Sequence, residues 1–253
     1  MAIQVSIKEL LEAGAHFGHQ TSRWNPKMKK FIFDKRGGIH IIDLQKTLVQ
    51  LKTACEFIAQ CVRENKHVLL VGTKKQAKLL IRDTAKKAGL HFVSERWLGG
   101  TLTNLRTIRK SVARFDEIEQ MMADGTFEKI SKKEVSMLQK ELDKLTKNLE
   151  GIRKMDRLPG AIVIIDPNIE KIAVFEARRL GVPIVALIDT NSNPDGIEYP
   201  VACNDDAIKT ISLILSKIEQ AVLDERGMVK DFDEPKEPEV KAEEVVPEPA
   251  HGD

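Results

Sequence analysis

Cysteine is scarce in this chain: Cys55, Cys61 and Cys203 are the only three among 253 residues. No two of them form a CxxC pair and their number is odd, which argues against a disulfide framework and against a structural zinc site built on thiolates. Buried, reduced thiols in a cytosolic protein fit better. Long apolar runs are also missing. None approaches the roughly 20 residues needed to cross a bilayer, and the opening MAIQVSIKELLEAG has no secretory apolar core. A soluble, cytoplasmic protein with no membrane partner is expected. The glycine patterns that cradle nucleotide phosphates are absent, both GxxxxGK followed by Ser or Thr and GxGxxG. So are GxSxG and HExxH, the usual local signs of hydrolytic chemistry. An α/β nucleotide-binding enzyme without a recognisable phosphate motif stays open as the alternative function, since residues distant in sequence can still meet in space.

Charge is plentiful but unevenly placed. Of 40 basic and 38 acidic residues, four bases and eleven acids lie from Asp224 to the end. That leaves 36 bases and 27 acids before Asp224, a body of net +9 joined to a tail of net −7. A basic body favours polyanionic partners. The tail, FDEPKEPEVKAEEVVPEPAHGD after Asp231, is rich in Pro and Glu and nearly free of large apolar residues. Such a composition buries too little surface to offset its ordering entropy, so a disordered acidic tail is expected.

Periodicity supplies the fold class. Ser6 to Glu9 has capping-box spacing for a short helix that Gly14 would end. Ile39–Ile42 reads as a strand, Leu44–Asn65 as an amphipathic helix and His67–Val71 as a buried strand. Thr73 is placed to cap a helix over Lys74–Lys87 that Gly89 closes, and His91–Ser94 reads as a third strand. Heptad-like apolar spacing then runs from Leu105 to Met122 and, after Gly125 and a second capping box at Ser131, from Val135 to Ile152. Two such helices on a short link predict an antiparallel coiled-coil hairpin. Strands return at Ala161–Ile165, Pro183–Ile188 and Tyr199–Ala202, with helices over Ile169–Leu180 and from about Asn204 or Asp205 to Leu223. Apolar strands alternating with helices imply a mainly parallel sheet covered on both faces, with the hairpin as an insertion. The expected partition is an α/β body over 1–101 and 155–225, the hairpin over 102–154 and the tail over 226–253.

Function is most legible between His16 and Asp43. Thr21 to Arg36 holds Arg23, Lys27, Lys29, Lys30, Lys35 and Arg36 against the one acid Asp34, with Trp24, Phe31 and Phe33 interleaved. Basic side chains neutralise phosphates and aromatic faces stack on unpaired bases. Pro26 and Gly37-Gly38 keep the segment from being a plain helix, so an irregular basic arm ahead of a strand is expected. A solvated loop with buried anchors is the plainer reading of the same residues. Further on, RWLGGTLTN at Arg96–Asn104 places a Gly-Gly pair between Trp97 and the first hairpin helix. On that helix Arg106, Lys110 and Arg114 stand four apart with Arg109 beside them, a stripe suited to a phosphate backbone or simply to solvent. Lys74 and Lys75, at a strand-to-helix turn, are either phosphate contacts or exposed.

HFGHQTSRWNPKMKKFIF with GGIHIIDLQKT, then RWLGGTLTN, LPGAIVIIDPN and PIVALIDTNSNPDGIEYPVACNDDAI, in that order, resemble the bacterial small-subunit ribosomal protein S-two family over roughly residues 1–225. The resemblance implies a three-layer α/β/α domain of Rossmann or flavodoxin-like type with a projecting coiled-coil hairpin. It implies a structural, non-enzymatic component of the small ribosomal subunit, bound to 16S rRNA at the neck between head and body and to neighbouring proteins. Among those is the messenger-binding ribosomal protein S-one, and DNA is not a partner. On this reading the RNA contacts are Arg23, Trp24, Lys27, Lys29, Lys30, Arg36, Lys74, Lys75, Arg96, Arg106, Arg109, Lys110 and Arg114. Trp24 and Trp97 serve equally as core anchors. No cofactor is expected beyond a divalent ion, for which His19, Asp189 at a strand carboxyl end and Asp205 near a helix start are the candidates, although such residues are more often helix caps and turn formers.

Overall fold

The computed structural model describes residues 5–233. Two sheets organise them. The larger has five parallel strands: β4 (Val68–Val71), β5 (His91–Val93), β6 (Ala161–Ile165), β7 (Ile184–Ile188) and β8 (Tyr199–Ala202), in spatial order β5-β4-β6-β7-β8. Every residue of β4, β6 and β7 is buried. That is why these strands read as unbroken apolar runs, as strands do when both faces of a parallel sheet are covered. Alternate residues feed two cores. Val68, Leu70, Val163, Ile165, Val185 and Leu187 meet α2 (Leu44–Arg63), α3 (Lys78–Ala88) and α7 (Ile208–Asp233) on one face. Leu69, Val71, Ile162, Ile164, Ala186 and Ile188 meet α6 (Lys171–Leu180) and the start of the inserted helices on the other. The result is the expected three-layer α/β/α arrangement. The strand order reverses between β4 and β6, which makes their carboxyl ends the topological switch point.

The smaller sheet was not anticipated. β1 (Phe17–Gln20), β2 (Ile32–Arg36) and β3 (Ile39–Ile42) form an antiparallel sheet in the order β1-β3-β2, and only β3 was expected. Gly37 and Gly38 join β2 to β3 with φ of 57° and 76°, and Arg36 pairs with Ile39 across them. Two consecutive positive φ values suit a two-residue hairpin turn whose twist matches its strands. The basic segment is therefore a folded ribbon rather than an irregular arm. It is preceded by α1 (Ile7–Glu12), whose capping box between Ser6 and Glu9 is present.

Between β5 and β6 the chain makes α4 (Leu105–Ala123) and α5 (Lys132–Leu149), joined through a short 3-10 turn at Thr126–Glu128. Phe115 and Ile118 of α4 pack on Leu142 of α5, and Arg114 reaches Glu141 across the pair at 3.2 Å. Two helix limits differ most from expectation. α3 begins at Lys78, not Lys74: Ala77 and not Thr73 is its N-cap, and a tight turn in which the Ala77 amide donates to the Lys74 carbonyl precedes it. α7 continues to Asp233, past Leu223 and into the region expected as tail, and residues 234–253 lie outside those described. Among the described residues no helix is long and apolar enough to cross a membrane.

Candidate nucleic-acid interface

The basic ribbon is built on a 3-10 segment, Pro26–Phe31. Asn25 starts it by accepting from the Lys27 amide, and Pro26 supplies the preset φ. With three residues per turn, positions 28 and 31 fall on one side. Met28 is fully buried and Phe31 is 7% exposed, so Lys27, Lys29 and Lys30 are turned outward. The segment is pinned to the large sheet where the Asn25 amide donates to the Thr190 carbonyl at 2.8 Å and the His19 amide to the Thr190 hydroxyl at 2.9 Å. Gly18 is required there, since a Cβ would lie 2.6 Å from the Thr190 methyl. Arg23, Lys29, Lys30 and Arg36 are exposed. The Lys30 ammonium lies 4.9 Å from the Phe31 ring, and Arg36 stands 3.8 Å from Asp34 on an otherwise open edge. Lys27 is paired with Asp195, and Trp24 is half-buried with its ring tilted against His40.

The RWLGGTLTN loop has a different centre from the one expected. Arg96 is exposed, but Trp97 is a core anchor at 6% exposure. Its indole N–H donates to Glu176 at 3.1 Å. The same buried carboxylate accepts from the amides of Gly100, Leu102 and Thr103 and from the Thr103 hydroxyl, at 2.7–3.1 Å. Burial opposes its ionisation, yet these donors hold it below the ordinary carboxylate range. Sequence reasoning missed Glu176, although one acid between Ala173 and Ala177 on a helix face turned to the core was a visible signal.

The stripe on α4 is shorter than its spacing suggested. Arg106 and Lys110 are exposed. Arg114 is held by Glu117 at 2.8 Å and Glu141 at 3.2 Å, and Arg109 donates to the Arg153 carbonyl at 2.8 Å. Arg114 is thereby tied to two carboxylates within the protein, whereas Arg109 is exposed and commits one guanidinium nitrogen to backbone carbonyls.

At the switch point the chemistry is acidic. The Thr73 amide, where a nucleotide-binding α/β protein would hold phosphate, donates instead to the Glu170 carboxylate at 2.7 Å. Lys75 is exposed, but Lys74 is neither exposed nor open to phosphate. Its side chain is 10% exposed and its ammonium lies 3.2, 2.7 and 2.5 Å from Asp166, Asp205 and Asp206. Burial works against its charge, and those carboxylates outweigh burial to raise its pKa. Next to it His19 bridges Asp189 at 3.0 Å and Asp206 at 3.4 Å. The His19–Asp189 hydrogen bond raises the imidazole pKa against the cost of burial. The acidic partner that converges with His19 and Asp189 is thus Asp206, not the expected Asp205, and one ligand atom from each of the three lies within 4.8 Å of the others. Asp205 turns one oxygen to Lys74 and leaves the other buried without a hydrogen bond.

Residues 10–225 match the family described as Ribosomal protein S2. The chain is 50% identical over 242 residues to the small ribosomal subunit protein uS2 of Protochlamydia amoebophila, covering 96% of this chain and 89% of that one. It is 56% identical over 220 residues to the protein of the same name from Treponema pallidum strain Nichols, covering 87% and 76%. The Chlamydia abortus protein of that name is 51% identical over 220 residues, covering 87% and 79%.

Proposed function

Because the chain belongs to the Ribosomal protein S2 family, and so is a structural protein of the small ribosomal subunit rather than an enzyme, we propose that it binds small-subunit rRNA with the basic ribbon, at the neck between head and body. The observation that carries this reading is the split of the 3-10 segment, with Met28 and Phe31 in the core and Lys29 and Lys30 outside it. That split presents cations from a fixed base, and fixed cations suit the backbone of structured RNA, where shape is read more than base edges. Arg23, Arg36, Lys75, Arg96, Arg106 and Lys110 extend the basic surface. In this reading residues 1–101 and 155–225 form the brace, and the 102–154 insertion lengthens its reach.

The adaptor role towards ribosomal protein S-one draws support from a different surface. Leu11, Phe17, Phe33 and Ile39 are 54%, 48%, 75% and 37% exposed and border adjoining clefts beside α1 and the small sheet. A contiguous apolar patch of that kind favours a protein partner over RNA. A divalent ion held by His19, Asp189 and Asp206 belongs to the same proposal, because the orphaned oxygen of Asp205 beside them is an acceptor without a donor. Adding zinc or magnesium to chelator-treated protein should raise its melting temperature, and His19→Ala should abolish the rise. A wild-type protein indifferent to both ions removes the metal from the account.

The RNA reading is tested by titrating small-subunit rRNA with the full chain across a salt series. Changing Lys29 and Lys30 together to Ala should lower the log-log salt slope by about 1.4–1.8. A slope equal to that of the wild type would take the ribbon out of phosphate binding.

A further inference from the structure

A second basic feature lies at the opposite end of the strands of the large sheet, where β4 and β5 begin. The segment leading into β6 and the carboxyl ends of α2 and α3 enclose a cleft of about 510 Å³ there, within the range of ligand-binding cavities. Lys66, Lys154, Arg157 and Arg226 line it. Two of these are partly occupied by backbone. Arg157 donates to the Asn65 carbonyl at 2.5 Å and Arg226 to the Gly89 carbonyl at 3.1 Å. Both carbonyls belong to left-handed residues that end α2 and α3, with φ of 56° and 61°. Each bond fixes a guanidinium at the rim while most of its five donors remain available.

The charge balance stays positive. Glu64 neutralises Lys66 at 2.6 Å, and Asp156 is taken by His67 at 2.8 Å. The two helix ends contribute about half a negative charge each. Lys154, Arg157 and Arg226 exceed that, and Lys154 is exposed without an ion pair or side-chain hydrogen bond among the described residues. Capping two helices explains one bond from each arginine. It does not explain a lysine and several unused guanidinium donors converging on one concave space.

We infer that this cleft grips backbone phosphates of a second RNA segment, so that the protein bridges RNA at both ends of its parallel strands. The inference rests on the RNA-binding reading above but uses none of the ribbon residues. The cleft suits arginine, whose planar fork engages a phosphate through two parallel bonds. Its place at the strand amino ends keeps it apart from the acidic switch point, which would repel phosphate.

The test uses the full-length protein and naked small-subunit rRNA across a salt series, with thermal unfolding as a check on folding. Lys154→Gln with Arg157→Gln should lower the salt slope by about 1.4–1.8. Lys154→Gln alone, which breaks no described bond, should lower it by about half as much, and Arg157→Lys should largely keep it. The loss should add to that of the Lys29 and Lys30 variant, as for independent sites. A wild-type slope in the Lys154→Gln protein, with rRNA still bound and the ribbon variant still weakened, overturns the cleft and leaves the ribbon standing. No salt-dependent rRNA binding by the wild type would sink both. Pyrophosphate binding lost in the cleft variants without any change in rRNA slope would make the cleft a small-anion site and overturn the RNA bridge.

Discussion

Glu176 stands on a helix face otherwise lined by Ala173 and Ala177, and five donors from the Trp97–Thr103 loop converge on it. A Gln there keeps one oxygen but turns an amide N–H₂ towards donors already in place. Glu176→Gln should cost about 2–3 kcal/mol at neutral pH. The folded-state pKa is lowered, so the stabilisation is complete above the unfolded value of about 4.3 and is lost as pH falls through the folded one. The gap between wild type and variant in urea unfolding should therefore narrow only in acid, below the usual carboxylate range. A gap that stays the same size below that range as well would mean that packing, not charge, sets the effect. His91 adds a loss of its own earlier in acid. Burial, reinforced by neighbouring His67, lowers its pKa to about 4, so it favours the fold while neutral and withdraws that support as pH drops from about 6.5 towards 4.

The helices α4 and α5 hold together through few side chains, chiefly Phe115, Ile118 and Leu142. Ile118 is fully buried, and Ile118→Ala should cost about 2–5 kcal/mol of local packing. Because that cluster is separate from the two cores flanking the sheet, hydrogen exchange should speed up in α4 and α5 and leave β4, β6 and β7 protected. Uniform loss of protection would show the insertion to be one cooperative unit with the body. These elements were legible because their determinants are local: apolar spacing, two capping boxes and the glycine ends of α3 and α6. The misread elements depend on distant residues. Thr73, expected as the cap of α3, instead gives its amide to Glu170, 97 positions away. β1 and β2 are short and mostly exposed, without the alternation that marks a half-buried strand, and Gly37-Gly38, read only as a break from helix, is the turn of a hairpin. At the candidate site, residue type identified the exposed cations of the ribbon, whereas only tertiary structure reveals that Lys74 and Arg114 face carboxylates and that Asp206 replaces Asp205.

Across the whole molecule charge is sorted by position. Residues 234–253 carry seven acids and two bases. Removing them raises the formal net charge from +2 to +7. Nonspecific RNA binding at low salt should then strengthen several-fold, and the difference should fade near 0.2 M salt as screening grows. Equal affinity of the full and shortened chains for an unrelated RNA would leave the acidic segment without an electrostatic part in selectivity. The order β5-β4-β6-β7-β8 was foreseeable only as a class of fold, because each buried strand is apolar on both faces and nothing in its pattern states its neighbours.

The bond between His19 and Thr190 joins residues 171 positions apart. During synthesis, at about 5–20 residues per second, the amino-terminal segment waits about 10–30 s before its dock exists. Through that interval Lys29, Lys30 and Arg36 travel on a ribbon with no fixed base, beside the RNA of the ribosome that is making it. Docking onto Thr190 is therefore a matter of timing as well as shape: the basic face acquires its final form only after the strand that carries its dock has been made.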